Sequence, residues 1–544
     1  MIQNKMDFSM YMNRFLKIFS LILILSGCAP TVPDSTDWFD GYDASNVGTP
    51  TTMQYGTPDD GYGTTTVDNE TQHRIAVLLP TNGKNATIGK IIRTSVETAV
   101  LQQNRPNLSV SFFDTSDNPS DAIEHALATS PEIIIGPVFA DNARLLRDTK
   151  PSSIPALSFT SDATAVGNGL MTMALMPTNS VETIINQISA DGKKSVIIIA
   201  PDTNSGKLMA TTAKNALDDK EIKLNGVFYY QENNPESIKD TSKQASMNNA
   251  RVAANTRARE ILSDILTNEA LNILEKSDLT MQLEQISRTD TLGNIPYDAI
   301  LFLGNADDTT KLASFLRYYG VSTRDASYYG SALWDGTNIS SDITMSGAKY
   351  ATLPAINENF ATLYSQISGM PPSRLATIGY DATNMAIGMI YSDKSDASYL
   401  LDPSGYIGTD GLFRLKPTGD NERALRIVRI NGDGTTQTLK NAPSSFITPI
   451  YTMSKHSNKP VDAMELQTPG INPNKYIQIP ERFSEKNKSK TYGTNITQPV
   501  TVQHSDTITV LPEDDRDPIA VSEFTPVKLE TVNRSYIDEI EIEE

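Results

Sequence analysis

The sequence predicts an α/β protein with parallel sheets built from two successive series of βαβ units. Short, nearly all-apolar runs such as Arg74-Ile-Ala-Val-Leu-Leu-Pro80 and Ser195-Val-Ile-Ile-Ile-Ala200 are bounded by turn residues. Strands buried on both faces read this way, whereas strands with one wet face alternate. Segments with apolar residues at helical spacing separate these runs, as in βαβ units. The alternation then restarts near position 177, which predicts a second sheet. A 544-residue chain is long enough for both.

At the N-terminal end, Arg14 and Lys17 precede an apolar run over 18–25 and the ending Leu25-Ser26-Gly27-Cys28. Charge, apolar core and small residues in that order predict a secretory signal over 1–27. The run is about half of the roughly 20 residues a membrane span needs. The ending resembles the bacterial lipobox, which implies that Cys28, the chain's one cysteine, is lipidated. The same resemblance, with Ala29 where an aspartate would retain the protein at the inner membrane, implies the outer membrane, facing the periplasm. The inner membrane is the alternative. Residues 28–72 are rich in Pro, Thr, Gly, Ser and Asp and predict a disordered tether. About 44 residues of coil span roughly 35–40 Å on average and about 145 Å pulled straight.

From position 73 the pattern predicts strands at 74–80, 108–114, 133–138 and 154–159, with helices after 88 and over 119–130 and 140–149. A second series opens at 171–177. It holds strands at 195–200, 223–230, 297–304 and 327–333, with a helix over 307–319. An insertion over 231–296 is polar at first. It then becomes helical, with Ile261, Leu262, Ile265, Leu266, Leu271 and Leu274 on one stripe expected to face the core. A strand at 347–354 follows, then helices within 360–390 and short antiparallel strands over 405–439. Beyond 441 the chain turns Pro-, Thr- and Asn-rich with an acidic end, which predicts a mostly disordered tail to 544.

The formal charge is −19. Removing 1–27, which carry Lys5, Arg14, Lys17 and Asp7, takes it to −21. That acidity excludes nucleic acid, whose binding needs Lys and Arg for counterion release, and polybasic docking on anionic lipid. One cysteine forms no intrachain disulfide. His73, His125, His456 and His504 show no metal-ligand spacing, so no metal or cofactor is expected. Gly83 to Lys90 echoes a phosphate loop, but the glycines are too far apart and no Ser or Thr follows the lysine. No Gly-x-Ser-x-Gly elbow occurs. No catalytic residue is expected, and an enzyme such as a cell-wall hydrolase is a distant reading.

Ile75-Ala-Val-Leu-Leu-Pro80, Ile134-Ile-Gly-Pro-Val138, Pro155-Ala-Leu-Ser158, Lys194-Ser-Val-Ile-Ile198 and Asp298-Ala-Ile-Leu-Phe302 follow one another in order. Later come Pro372-Ser-Arg-Leu-Ala-Thr-Ile-Gly-Tyr-Asp-Ala382 and Tyr406-Ile-Gly-Thr-Asp-Gly-Leu-Phe413. The set resembles the type I periplasmic-binding fold, the leucine/isoleucine/valine-binding class, over roughly 73–439. The resemblance implies two doubly wound parallel-sheet lobes joined by three crossings, the first of 73–176 plus 347–400 and the second of 177–346 plus 401–440. Ligands of open α/β sheets bind beyond the carboxyl ends of the strands. The cleft candidates are therefore Thr81, Asn82, Phe139, Ser158, Thr160, Ser161, Asp202 and Asn305, with Trp334 as a stacking or a packing aromatic. Tyr380-Asp381 reads as structural.

In amino-acid-binding members, hydroxyl side chains after the Ile-Gly strand hold the ligand carboxylate. Here that place reads Val138-Phe139-Ala140-Asp141, an apolar ring and an anion. The segment Gly136-Pro-Val-Phe-Ala-Asp-Asn-Ala143 is more similar to the outer-membrane lipoproteins that activate penicillin-binding proteins. The enterobacterial members carry a further N-terminal helical-repeat domain, for which this chain offers only the tether. This resemblance implies a non-enzymatic activator or scaffold of a peptidoglycan synthase, held to the membrane through Cys28. The alternative is a solute-binding lipoprotein that takes a small amide, amino-acid-like or peptide ligand in the interlobe cleft for an ABC transporter.

Overall fold

The computed structural model describes residues 47–53, 72–392, 397–447, 459–466 and 470–483; Cys28 and the segment before it lie outside these. The chain divides into Met1–Pro480 and Glu481–Glu544. Of the second unit only 481–483 are described, and they are helical. Among the described residues no helix is long and apolar enough to cross a membrane.

The elements run β1 (Thr51–Thr52), β2 (His73–Leu79), α1 (Ala86–Gln103), β3 (Leu108–Asp114), α2 (Pro119–Ala128), β4 (Ile133–Ile135), α3 (Ala140–Thr149), β5 (Ala156–Ser158) and β6 (Leu170–Thr172). Next come α4 (Pro177–Ala190), β7 (Ser195–Pro201), α5 (Asn204–Asp219), β8 (Lys223–Tyr230), α6 (Pro235–Ala245), α7 (Asn248–Leu266), α8 (Ile273–Ser287), β9 (Ala299–Phe302), α9 (Ala306–Tyr318), β10 (Ser327–Gly330) and β11 (Lys349–Thr352). The last are α10 (Glu358–Ser368), α11 (Arg374–Ile390), α12 (Ala397–Leu400), β12 (Tyr406–Gly408), β13 (Gly411–Leu415), β14 (Asn421–Arg423), β15 (Arg426–Ile430) and β16 (Thr436–Lys440).

The first sheet has the order β3-β2-β4-β5-β6 and is parallel throughout. Its alternate residues feed two cores, as a doubly wound sheet requires. Ile75, Val77 and Leu79 pack with α1, α10 and α11, while Ala76 and Leu78 pack with α2 and α3. The second sheet has the order β16-β15-β11-β10-β9-β7-β8. Its core strands are parallel, and β15 and β16 are antiparallel additions at one edge. Ile197 and Ile199 face α6 and α9, while Val196 and Ile198 face α4 and α5. A small sheet, β1-β12-β13-β14, lies where the chain passes between the lobes.

Three crossings connect the lobes: residues 173–176 after β6, residues 353–357 after β11, and the small sheet on the way from α12 to β15. Several elements differ from expectation. Residues 170–172 close the first sheet instead of opening the second series, since β6 pairs β5. Residues 349–352, expected with the first lobe, are hydrogen-bonded between β10 and β15 of the second sheet. The polar start of the insertion is α6, whose Ile238 and Ala245 join the second lobe's core. Along the stripe Ile261, Leu262, Ile265 and Leu271 are buried, but Leu274 is 77% exposed.

The two segments expected to be disordered are partly built into the fold. Thr51 and Thr52 pair in parallel with Tyr406 and Ile407, and Met53 is buried. Residues 459–466 run along β8, where Val227 and Met464 exchange two backbone bonds of 2.8 Å. Main-chain pairing orders such segments without an apolar pattern, which is why composition misses it.

Candidate functional site

In both lobes the strands are parallel, so their carboxyl ends share one edge of each sheet, and the following helices begin there. The expected interlobe cleft has these two edges as its lips.

On the first lip, Asp114 ends β3 and ties it to the end of β2. Its carboxylate accepts from the Thr81 backbone N–H at 2.9 Å, from Asn82 Nδ2 at 2.5 Å and from Ser116 Oγ at 2.6 Å. Burial would raise this carboxyl, but the donors from Ser116 and Thr81 outweigh it and hold the group far below the usual carboxylate range. Thr81 and Asn82 are thus engaged within their own lobe.

At the end of β4, Phe139 is half-buried against the α1–α11 core and leads into α3. Asp141, two residues on, is almost fully exposed. The hydroxyl loop after β5 turns inward. Fully buried Ser158 donates to the Pro137 carbonyl at 2.8 Å, and its Oγ accepts from Thr160 N–H at 3.2 Å. Thr160 is buried, and its hydroxyl accepts from Asp162 N–H at 3.1 Å. Asp162 in turn holds Arg144 and the Thr164 hydroxyl. Ser161 is half-buried.

On the second lip, Asp202 is exposed and pairs with Lys207 at 2.7 Å. Asn305 caps α9, accepting from Asp308 N–H at 2.8 Å. Asp308 is fully buried and accepts from Asn233 N–H and Lys311 Nζ, each at 3.1 Å. Glu232 is raised by burial and by Asp308, with the Asn305 amide opposing. Asp202 and Asp308 are thus each matched by a lysine, whereas among the described residues Glu232 has no such partner. Trp334 does not line this lip: the indole is 1% exposed, with ring centroids 6.4 Å from Phe302 and 5.8 Å from Tyr350.

The structure brings together a different group at the crossings. Asp410 and Asp381 are both fully buried. Asp410 receives Arg423 at 3.0 Å and the Thr377 hydroxyl at 2.7 Å, with Arg374 at 3.8 Å. Arg374, at the start of α11, also donates to Asp335 at 3.2 Å and reaches the Leu353 carbonyl at 3.5 Å. Arg423 donates to the Met173 carbonyl at 2.6 Å. Asn421 donates to the Thr172 and Ala174 carbonyls at 2.9 and 2.6 Å. All three crossings are thus tied to one polar cluster. Thr409 and Asp410 sit in the Tyr406–Phe413 motif, but nothing in their spacing from Arg374 or Arg423 marks them as partners.

Chemically, the hydroxyl–carboxylate pairs beside the lips, Ser116 on Asp114 and Thr164 on Asp162, fasten a strand end and a turn, and Ser158 donates to a carbonyl. Among the described residues no cluster of His, Cys, Asp and Glu is placed to hold a metal ion. His73 pairs with Glu132 at the start of β2, away from the strands' carboxyl ends.

A family model described as "LppC putative lipoprotein" matches residues 54–218. An uncharacterised protein of Rickettsia prowazekii (strain Madrid E) is 25% identical over 177 residues, 32% of this chain and 47% of that protein. The matched chain thus spans about half the length of this curated relative. Among solved structures, a putative branched-chain amino acid ABC transporter protein of Rhodospirillum rubrum is 15% identical with a TM-score of 0.52. The match covers 68% of this chain and all of that one. The C-domain of LpoA from Haemophilus influenzae, a regulator of PBP1A, is 16% identical with a TM-score of 0.43, over 67% of this chain and 99% of that one. The architecture is that of a type I periplasmic-binding protein.

Proposed function

We propose that this chain is a lipid-anchored, periplasm-facing protein that acts without catalysis, as an activator or scaffold of a peptidoglycan synthase of the penicillin-binding class. The observation that carries the reading is the engagement of the cleft's hydroxyls. A bound amino acid needs free donors for its carboxylate. Ser158 instead donates to a carbonyl of its own lobe and Thr160 is buried, and the facing lip carries Asp202, Glu232 and Asp308. An unpaired anion desolvated there would be costly. The fold then serves as a protein-binding frame.

The lipoprotein family model over 54–218 supports the anchor, for which Cys28 is the attachment. Ala29 after it supports the outer membrane. The resemblance carried by residues 136–143 supports the partner class. The LpoA overlay is too loose to add to this.

Crosslinking in intact cells, followed by identification of the partner, tests the reading. A penicillin-binding protein is expected, together with faster glycan cross-linking when the two are reconstituted. The absence of both a partner of that class and a rate change would overturn it. In parallel, a thermal-shift screen of amino acids, amides and short peptides is expected to be flat. A ligand that binds only the folded state at 100 times its Kd would stabilise by about 2.7 kcal/mol. A clear shift would favour solute binding instead.

A further inference from the structure

The two edges of the second sheet are treated differently. Strand β8 is covered by the chain's own residues 459–466, through the Val227–Met464 bridge and a bond from the Tyr229 hydroxyl to the Val461 carbonyl at 2.7 Å. At the other edge all five residues of β16 are exposed. Asn431 N–H donates to the Thr435 carbonyl at 2.8 Å, which sets the phase of the hairpin. With Arg429 opposite Gln437 and Val428 opposite Thr438, antiparallel alternation makes the first a bonded pair and the second a non-bonded one. Thr436 and Thr438 therefore turn N–H and C=O outward. Among the described residues nothing accepts or supplies bonds there. An unpaired edge of this kind is a template for another strand.

Charge selects the occupant. The hairpin carries Arg426, Arg429 and Lys440, and among the described residues none of the three has a carboxylate partner. Arg429 donates to the Gln437 side chain at 2.8 Å, and Arg426 to the Leu353 carbonyl at 3.0 Å and the Thr438 hydroxyl at 3.2 Å. In a chain of formal charge −19, three such cations against one carboxylate, Asp433 in the turn, make this edge hairpin a local basic site. A recess of 380 Å³ adjoins the strand, lined among others by Pro354, Ile407, Leu412, Arg426, Thr438 and Pro443. It is large enough for an apolar side chain. A second copy of this chain would bring the same cations to the same edge.

We infer that the edge of β16, unpaired among the described residues, binds an extended, acidic segment of another protein by strand addition, with an apolar residue of that segment in the recess. This inference stands apart from the cleft and from the identity of the synthase.

The probe is a nine-residue peptide alternating valine and glutamate, compared with its valine–lysine counterpart, against the full mature chain. The acidic peptide should bind at least tenfold more tightly and protect amides of 436–440 from hydrogen exchange. Its binding should weaken as salt is raised. Thr438→Pro removes the outward donor and should abolish binding. Lys440→Glu with Arg429→Glu should reverse the charge preference while leaving thermal unfolding unchanged, which separates lost binding from lost folding. Equal binding of both peptides, or protection mapping to another element, would overturn the inference. A concentration-dependent dimer abolished by Thr438→Pro would also overturn it, by assigning the edge to a second copy.

Discussion

Asp381 is the residue whose environment most conflicts with its chemistry. It is fully buried on α11, facing Asp410, Arg423 and the Thr409 turn. Burial and then the Asp410 carboxylate push its carboxyl up to about 8, against the Thr409 donors and Arg423. In the unfolded chain the group returns to about 3.9. Between those values the folded state holds a proton that the unfolded state releases, so stability falls as pH rises from about 4 to about 8. Asp381→Asn keeps the acceptor for Thr409 and removes the titration. The variant should match the wild type near pH 4 and exceed it progressively as pH rises, by roughly 1.4 kcal/mol for each unit the fold raises the carboxyl, on the order of 5 kcal/mol at pH 8. Urea unfolding across that range reads the difference; parallel curves for the two proteins would sink the assignment. None of this is legible in the sequence, where Tyr380-Asp381 is an ordinary helical pair. The charges that matter lie 29 and 42 positions downstream and meet it only through the fold.

At the scale of elements, the two lobes repeat one device. Each opening strand ends at a proline or just before one, and a glycine in the next helix lies against that proline's carbonyl. A Cβ on Gly89 would stand 1.8 Å from the Pro80 oxygen, and one on Gly206 would stand 2.1 Å from the Pro201 oxygen. The contact brings α1 and α5 hard onto their strand ends and so sets the lips. Helix propensity alone would make Gly→Ala stabilising by up to about 1 kcal/mol. The clash reverses the sign, and Gly89→Ala and Gly206→Ala should each cost about 1–3 kcal/mol. Lys90→Ala, exposed on the same helix, should change stability by less than about 0.5 kcal/mol. A stabilised Gly89→Ala protein would refute the close approach. The elements themselves were readable wherever apolar runs met helical spacing, as at β2, β3, α3, β7 and β8. Sheet membership was not. Lys349–Thr352 reads as a strand, but four residues cannot say which neighbours they pair with. The hydroxyl loop after β5 was likewise visible as composition and invisible as orientation, since Ser158 points to a carbonyl that only the fold supplies.

At the scale of the whole molecule, two features set how far this protein reaches and how wide its lobes stand. If Cys28 is the anchor, about 19 residues separate it from Val47, where the described chain begins, and they extend at most roughly 65 Å. Strand β1 therefore shortens the reach expected of the full tether by more than half. The opening of the lobes is set at the crossings. Arg374 on α11 belongs to the first lobe's helical layer, and Asp335 follows β10 of the second sheet. Their 3.2 Å pair spans the lobes with side chains only 19% and 24% exposed. A shielded pair between rigid bodies acts as a clasp, because opening separates charges that water screens only in part. Its loss should favour a wider arrangement with little effect on either lobe's core. With Cys28 replaced by serine, spin labels at positions 141 and 204, one on each lip, report the separation. The parent should give one dominant distance, and Asp335→Asn should add a longer one. Asp342→Asn, which removes only a local cap on Thr344, should leave the distribution unchanged. An unaltered distribution in Asp335→Asn would show that the buried Asp410–Arg423 pair and the Asn421 bonds hold the lobes without the clasp.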